Sequence, residues 1–187
     1  MLEQRIQQQF FDSADLKFQT AETLCKPIAD AAGALIGAVT GGGKVMVCGC
    51  DLAAPLASHL ASLFVDGFER ERPPLPAITL LAASAPDKQI HALGQAGDVL
   101  LLLAAGERGA DLAQSVIAAA RAKDMTVVFI TGNSASQMIA GPRGLVETDV
   151  MITVPHDRPV RVLELQLLVL HCLCDAVDLQ LMGEHEP

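Results

Sequence analysis

Apolar positions in the first forty residues recur at helical intervals: Leu2, Ile6 and Phe10 at i+4, then Ile28, Ala31, Ala32, Leu35, Ile36 and Val39 at i, i+3, i+4, i+7, i+8 and i+11. This pattern predicts two amphipathic helices. Gly41, Gly42 and Gly43 end the second, and the apolar run after Lys44 opens a strand. From there strands over 44–49, 76–81, 98–104, 126–131 and 149–153 alternate with helices over 52–66, 110–123 and 134–140 and a short segment over 87–94. Stretches 99–103 and 126–130 are apolar almost throughout, as strands covered on both faces must be. The βα alternation therefore predicts a three-layer α/β/α fold around a parallel sheet.

A last helix, predicted over 158–182, carries Leu163, Leu165, Leu167, Leu168, Leu170, Cys172, Leu173 and Val177 on more than one face. Glu164, His171, Asp175 and Asp178 form its polar stripe. A terminal helix so apolar needs cover on most sides, which one small domain rarely supplies, so a homo-oligomer is expected.

Length and composition narrow the function. A chain of 187 residues with 51% hydrophobic and 19% charged residues builds one domain with a substantial core. The net charge of −9 repels phosphate backbones, and with no Trp, no Tyr and 6 Phe there is little to stack on bases, so direct nucleic-acid binding is not expected. No apolar stretch is long and uninterrupted enough for a membrane span, and MLEQRIQQQF is no secretory signal, which points to the cytoplasm. There the five Cys are expected to stay reduced.

In an open parallel sheet, ligands sit beyond the carboxyl ends of the strands, and anions favour helix N-termini. Three loops fall there, 48–55, 104–109 and 131–136. The first has one glycine and no hydroxyl, and Asp51 stands where its own carboxylate can cap the helix and occupy the anion position. The second offers Arg108, offset by Glu107. The third has Ser134 followed by Gln137, a pair that fits a capping box as well as a ligand contact. His59 and His171 are each read first as partnered structural histidines, with Glu164 and Asp175 available to hold His171. Cys48 and Cys50 share a strand face, but Cys172 and Cys174 diverge by ~200° around a helix. No complete metal set follows, and no metal or cofactor is expected.

Several stretches carry a family likeness: His59 followed by 68–78, then 92–101, then 124–128 with Thr131 and Gly132, and Cys172, Leu173, Cys174 and Asp175 near the end. In these the chain resembles sugar isomerase (SIS) domains, both the phosphoheptose isomerase group and a non-enzymatic branch, the DnaA initiator-associating proteins (DiaA). The resemblance implies a five-stranded parallel sheet in flavodoxin-like order, a helical segment over 1–40 preceding the SIS domain at 41–187 within one structural unit, and a homotetramer. It also exposes departures. Catalytic relatives read Gly-Asn-Gly-Gly-Ser where this chain has Gly49, Cys50, Asp51, Leu52 and Ala53, and a hydroxyl-rich loop where it has 104–109. Of the family's two His, Glu and Gln, His59 and His171 remain, while Leu63 and Leu163 replace the Glu and the Gln.

These losses point to a non-catalytic, DiaA-like scaffold that gathers DnaA. Its degenerate ligand pocket would be lined by Cys50, Asp51, His59, Arg108, Ser134 and His171, and no residue would be catalytic. Partner surfaces are expected either at Leu179, Leu181 and Met182 or at Phe10 and Phe11, with Phe18. The alternative is a phosphoheptose isomerase-like or sugar-phosphate-binding protein acting on a substrate such as sedoheptulose 7-phosphate. A third reading is a sensor for another small molecule.

Overall fold

The computed structural model describes residues 1–138 and 144–183. Five parallel strands, β1 (Val45–Cys50), β2 (Ala77–Leu80), β3 (Val99–Ala104), β4 (Thr126–Gly132) and β5 (Val150–Val154), lie in the order β2-β1-β3-β4-β5. This is the flavodoxin-like order, with its reversal between β1 and β3. Helices α1 (Leu2–Thr40), α2 (Ala54–Asp66) and α6 (Pro159–Met182) pack with one larger core. Helix α4 (Ala110–Arg121) and the shorter α3 (Pro86–Leu93) cover the opposite face. Helix α5 (Asn133–Met138) follows β4, and the last two positions of the predicted 134–140 helix fall outside the described residues. Every residue of β1 and β3 is buried, because each strand is covered on both faces. Among the described residues no helix is long and apolar enough to cross a membrane.

The chain begins with one helix where two were expected. Residues 11–27 contain no glycine and no proline before Pro27, so nothing breaks the helix between the two periodic stretches, and they merge despite Pro27 within it. Its buried core residues, Leu24, Ala31, Ala32, Leu35 and Ala38, lie in the second half, with Leu16 of the first half partly buried against them, while Leu2, Ile6, Phe10, Phe11 and Phe18 are exposed.

The polar positions of α6 also depart from expectation. Asp178 is buried and paired with Arg72, so it does not belong to a solvent-facing stripe. Gln166 is fully buried, its amide nitrogen donating to the Ala104 and Ile130 carbonyls at 3.1 and 2.9 Å. That amide ties the helix to the carboxyl ends of β3 and β4. The exposed side of α6 runs through Leu168, Cys172, Asp175, Leu179 and Met182, at i, i+4, i+7, i+11 and i+14. Leu181 does not share the exposure of Leu179 and Met182: it is partly buried against the core.

At the amino ends of the strands two buried aspartates hold backbone together. Asp98 accepts from the Lys44 and Gln95 N–H groups, both at 2.9 Å, and from Lys44 Nζ at 2.6 Å. Asp149 does the same for Val127 N, Val146 N and the Arg121 guanidinium. These carboxylates sit far along the strands from the ligand end and serve the fold.

Candidate functional site

A cavity of about 590 Å³ opens at the carboxyl ends of the strands, where the reversal between β1 and β3 places it. Cys50, Asp51 and Leu52 line it from the end of β1, Ala105, Gly106, Glu107 and Arg108 from the loop after β3, Ser134 from α5, and Asp157 and Pro159 from the loop after β5. Four of the six predicted pocket residues, Cys50, Asp51, Arg108 and Ser134, are thus brought together. The fourth loop, with Asp157 and Pro159, was missed by the sequence analysis. A proline at the first turn of α6 was its signal.

Asp51 does not fill the anion position. It begins a single 3-10 turn, Asp51–Ala53, in which Cys50 takes the extended cap conformation, and Asp51 itself has φ +49°. Its side chain makes no capping hydrogen bond and is exposed. The left-handed backbone here suits the glycine that catalytic relatives carry at this position, and Asp enters it at modest cost. Ser134 is likewise no capping residue: α5 starts one residue earlier, at Asn133, which leaves the Ser134 hydroxyl at the cavity wall.

The wall between β1 and β3 is tight. Gly109 has φ +91°, and a Cβ there would lie 2.8 Å from Cys50 Cβ. The Cys50 thiol is held protonated by its hydrogen bond with Cys48, by burial and by the neighbouring Asp51 carboxylate, whereas the same bond lowers Cys48. Cys50 is 1% exposed and packs against Gly109. The donors available to an anion are the Arg108 guanidinium, the Ser134 hydroxyl, and the N–H groups of Glu107, Arg108 and Gly109, which have no acceptor among the described residues. Asp51, Glu107 and Asp157 oppose them, so a bound anion must be held by short, directed hydrogen bonds, since the overall field does not favour it.

His59 and His171 do not line this cavity; they meet each other. Their Nε2 atoms lie 3.1 Å apart across α2 and α6, both rings are half-buried, and Phe68 stacks on His171 at 5.4 Å between centroids. The expected partners of His171 are engaged elsewhere or remote. Glu164 takes two hydrogen bonds from Arg161, at 2.8 and 2.9 Å. Burial alone would raise its carboxyl, but the bonds from Arg161 and Ser13 bring it below the usual range. Asp175 is exposed. Neither His nor Phe68 could have been paired from the sequence, because 112 residues separate the two rings.

The His pair joins α2 to α6 some way along both helices from the cavity. His171 lies five residues beyond Gln166, about 7.5 Å along the helix at ~1.5 Å per residue. His59 is on the helix that leaves the end of β1. Leu63 and Leu163 are partly buried against the core, so no carboxylate or amide joins the imidazoles. Among the described residues no three His, Cys, Asp or Glu side chains converge. Two imidazole nitrogens do not make the four-ligand set of a resident metal ion.

Residues 9–132 match the family model of the SIS domain. The chain belongs to the SIS domain family. It is 50% identical to a phosphoheptose isomerase of Methylibium petroleiphilum over all of this chain and 98% of that protein. It is 41% identical to one of Aromatoleum aromaticum over 96% of each. Among solved structures, a phosphoheptose isomerase of Neisseria gonorrhoeae superposes with a TM-score of 0.83 at 28% identity, covering 95% of this chain and 99% of that one. One from Francisella tularensis gives 0.81 at 31% identity, over 95% and 98%. This likeness, end to end and to proteins named as isomerases, overturns the expectation of a non-catalytic DiaA-like scaffold for DnaA. That expectation rested on the missing hydroxyls, on Leu63 and Leu163 in place of the family's Glu and Gln, and on an Asp51 cap that does not form.

Proposed function

We propose that this SIS-domain protein is a phosphoheptose isomerase-type enzyme that interconverts a seven-carbon ketose phosphate and its aldose. The observation that carries the reading is the His59–His171 pair, whose Nε2 atoms lie 3.1 Å apart between α2 and α6. Aldose–ketose isomerisation moves one proton between C1 and C2 and one between O1 and O2, with no net oxidation. It needs a base and an acid placed together.

A neutral imidazole carries one N–H, so a direct Nε2 to Nε2 hydrogen bond forces the two rings into opposite tautomers. One ring donates through Nε2 and keeps a bare Nδ1; the other accepts at Nε2 and carries its proton on Nδ1. Neither Nδ1 has a partner among the described residues. The pair thus offers one base and one acid, joined by a shared proton. Uptake of the C1 proton by one ring, with the shared proton moving between the rings and a proton passing to the C2 carbonyl oxygen, gives the enediol. The reverse relay, with delivery at C2, completes the reaction. The phosphoryl group would be held by Arg108, Ser134 and the N–H groups of 107–109.

Sedoheptulose 7-phosphate is the probe. At 100 times its Kd it should stabilise the protein by about 2.7 kcal/mol, a rise of roughly 5–10 °C in Tm for a chain of this size. In heavy water, turnover should place deuterium at C2. Absence of both the Tm shift and the isotope would sink the reading.

The active form is inferred to be a homo-oligomer, in keeping with the expected tetramer, and to work in the cytoplasm. Exposed Leu168, Leu179 and Met182 on α6, and Leu2, Ile6 and Phe10 on α1, are the apolar residues a second copy would cover. Light scattering after size exclusion should give a multiple of 19.6 kDa. Leu168→Asp with Leu179→Asp should lower that mass, and a monodisperse wild-type monomer would refute the inference.

A further inference from the structure

We propose that Arg72 is a positioning residue for the His59–His171 pair, acting through Asp178 and the C-terminal carbonyls of α2. The consequence for turnover rests on the isomerase reading; the geometric claim does not. The Arg72 side chain is 1% exposed and that of Asp178 3%. Its Nε donates to Asp178 Oδ1 at 2.5 Å, one terminal nitrogen to the Phe64 carbonyl at 2.8 Å and the other to the Leu63 carbonyl at 3.0 Å. Those carbonyls belong to the last turn of α2, where the Leu63 oxygen also accepts from the Gly67 N–H and the Phe64 oxygen from the Leu75 N–H. One guanidinium therefore ends α2 and grips α6 at once, a task its planar fork of donors suits and a lysine's point charge does not.

The placement of this clamp relates it to the imidazoles. Asp178 lies seven residues beyond His171, two turns along the same face of α6. Leu63 and Phe64 lie four and five residues beyond His59. The two helices are thus tied at two points, one tie being the His pair and the other Arg72, and two points fix both the sliding and the rotation of one helix against the other. The connecting segment is itself stiff: Pro73, Pro74 and Pro76 lock its backbone, Leu75 N–H returns to the Phe64 carbonyl at 2.9 Å, and Phe68 stacks on His171.

A purely stabilising role explains the pair less well. Asp178 Oδ2 is buried without a hydrogen-bond partner, so the carboxylate is incompletely satisfied, and apolar residues of similar volume commonly do as well in such places. What apolar residues do not supply is a directional tie at a fixed register.

The test is made on the full chain with 15N-labelled histidine. At pH 8 the wild type should show one ring protonated at Nε2 and one at Nδ1. Arg72→Lys and Asp178→Asn should lose this opposed signature while retaining a cooperative melt. If the isomerase reading holds, kcat should fall about 10²-fold, as misplacement of reacting groups by an ångström does, with KM little changed. Arg121→Lys, which perturbs the half-exposed pair with Asp149 on the other side of the sheet, should leave the signature intact. Persistence of the opposed tautomers in either folded variant overturns the proposal. Loss of the signature in a protein whose wild type never turns over sedoheptulose 7-phosphate overturns the isomerase reading and leaves the positioning role standing. Should Arg72→Lys fail to fold, Asp178→Asn decides, since it keeps the side-chain shape and removes only the charge.

Discussion

Replacing His59 with alanine should lower kcat for sedoheptulose 7-phosphate by about 10²–10⁴-fold, the range that a positioned acid or base contributes. The relay needs both rings, so His171→Ala should cost nearly the same and the double variant hardly more, because the two act as one unit. Neither change should unsettle the fold greatly. Both rings are half-buried, and each removes a single hydrogen bond, worth about 0.5–1.5 kcal/mol. Steady-state rates, read beside melting curves, check this. Undiminished turnover in His59→Ala would remove the imidazole pair from the chemistry. Lost turnover together with a collapsed melt would assign it to structure.

Asp98→Ala should produce the largest loss of stability among polar substitutions, about 3–5 kcal/mol, the cost of breaking a buried charged pair from one side. Asp98 is 2% exposed and answers three donors. Its removal strands the Lys44 and Gln95 N–H groups at the entry of β1 and β3, the two strands that flank the reversal. Urea unfolding should show a lower midpoint with an unchanged slope. Asp98→Asn, which keeps an acceptor for part of the set, should recover some of the loss. An alanine variant as stable as wild type would mean that water satisfies those donors.

Local patterns made the scaffold of this protein legible. Continuous apolar runs such as 99–103 can only be two-sided strands, and their alternation with helical stretches fixes a parallel sheet, so the strand boundaries agree with the structure to within one residue or so. The merger of the two N-terminal helices was not legible, because periodicity alone does not say whether the residues between two apolar faces continue the helix. The cavity was legible through the strand ends that build it. Its charge was not: Asp51 has the residue type of a helix cap, and only its backbone torsion, φ +49°, removes it from that role. The His59–His171 contact and the Arg72–Asp178 clamp join residues more than a hundred positions apart. Such contacts leave no periodic trace in one sequence, and His171 was accordingly assigned to its neighbours on the helix. The error about activity followed from the same limit. Missing hydroxyls were visible residue by residue, whereas the contact between the two imidazoles exists only in three dimensions.

The close approach of Gly109 to Cys50 has a mechanical corollary. With 2.8 Å between the sulfur-bearing carbon of Cys50 and the place a methyl would take on Gly109, no slack separates the mouth's two lips. Even a methyl at position 109 would press on the tip of the first strand, so this side of the mouth admits only a residue without a Cβ.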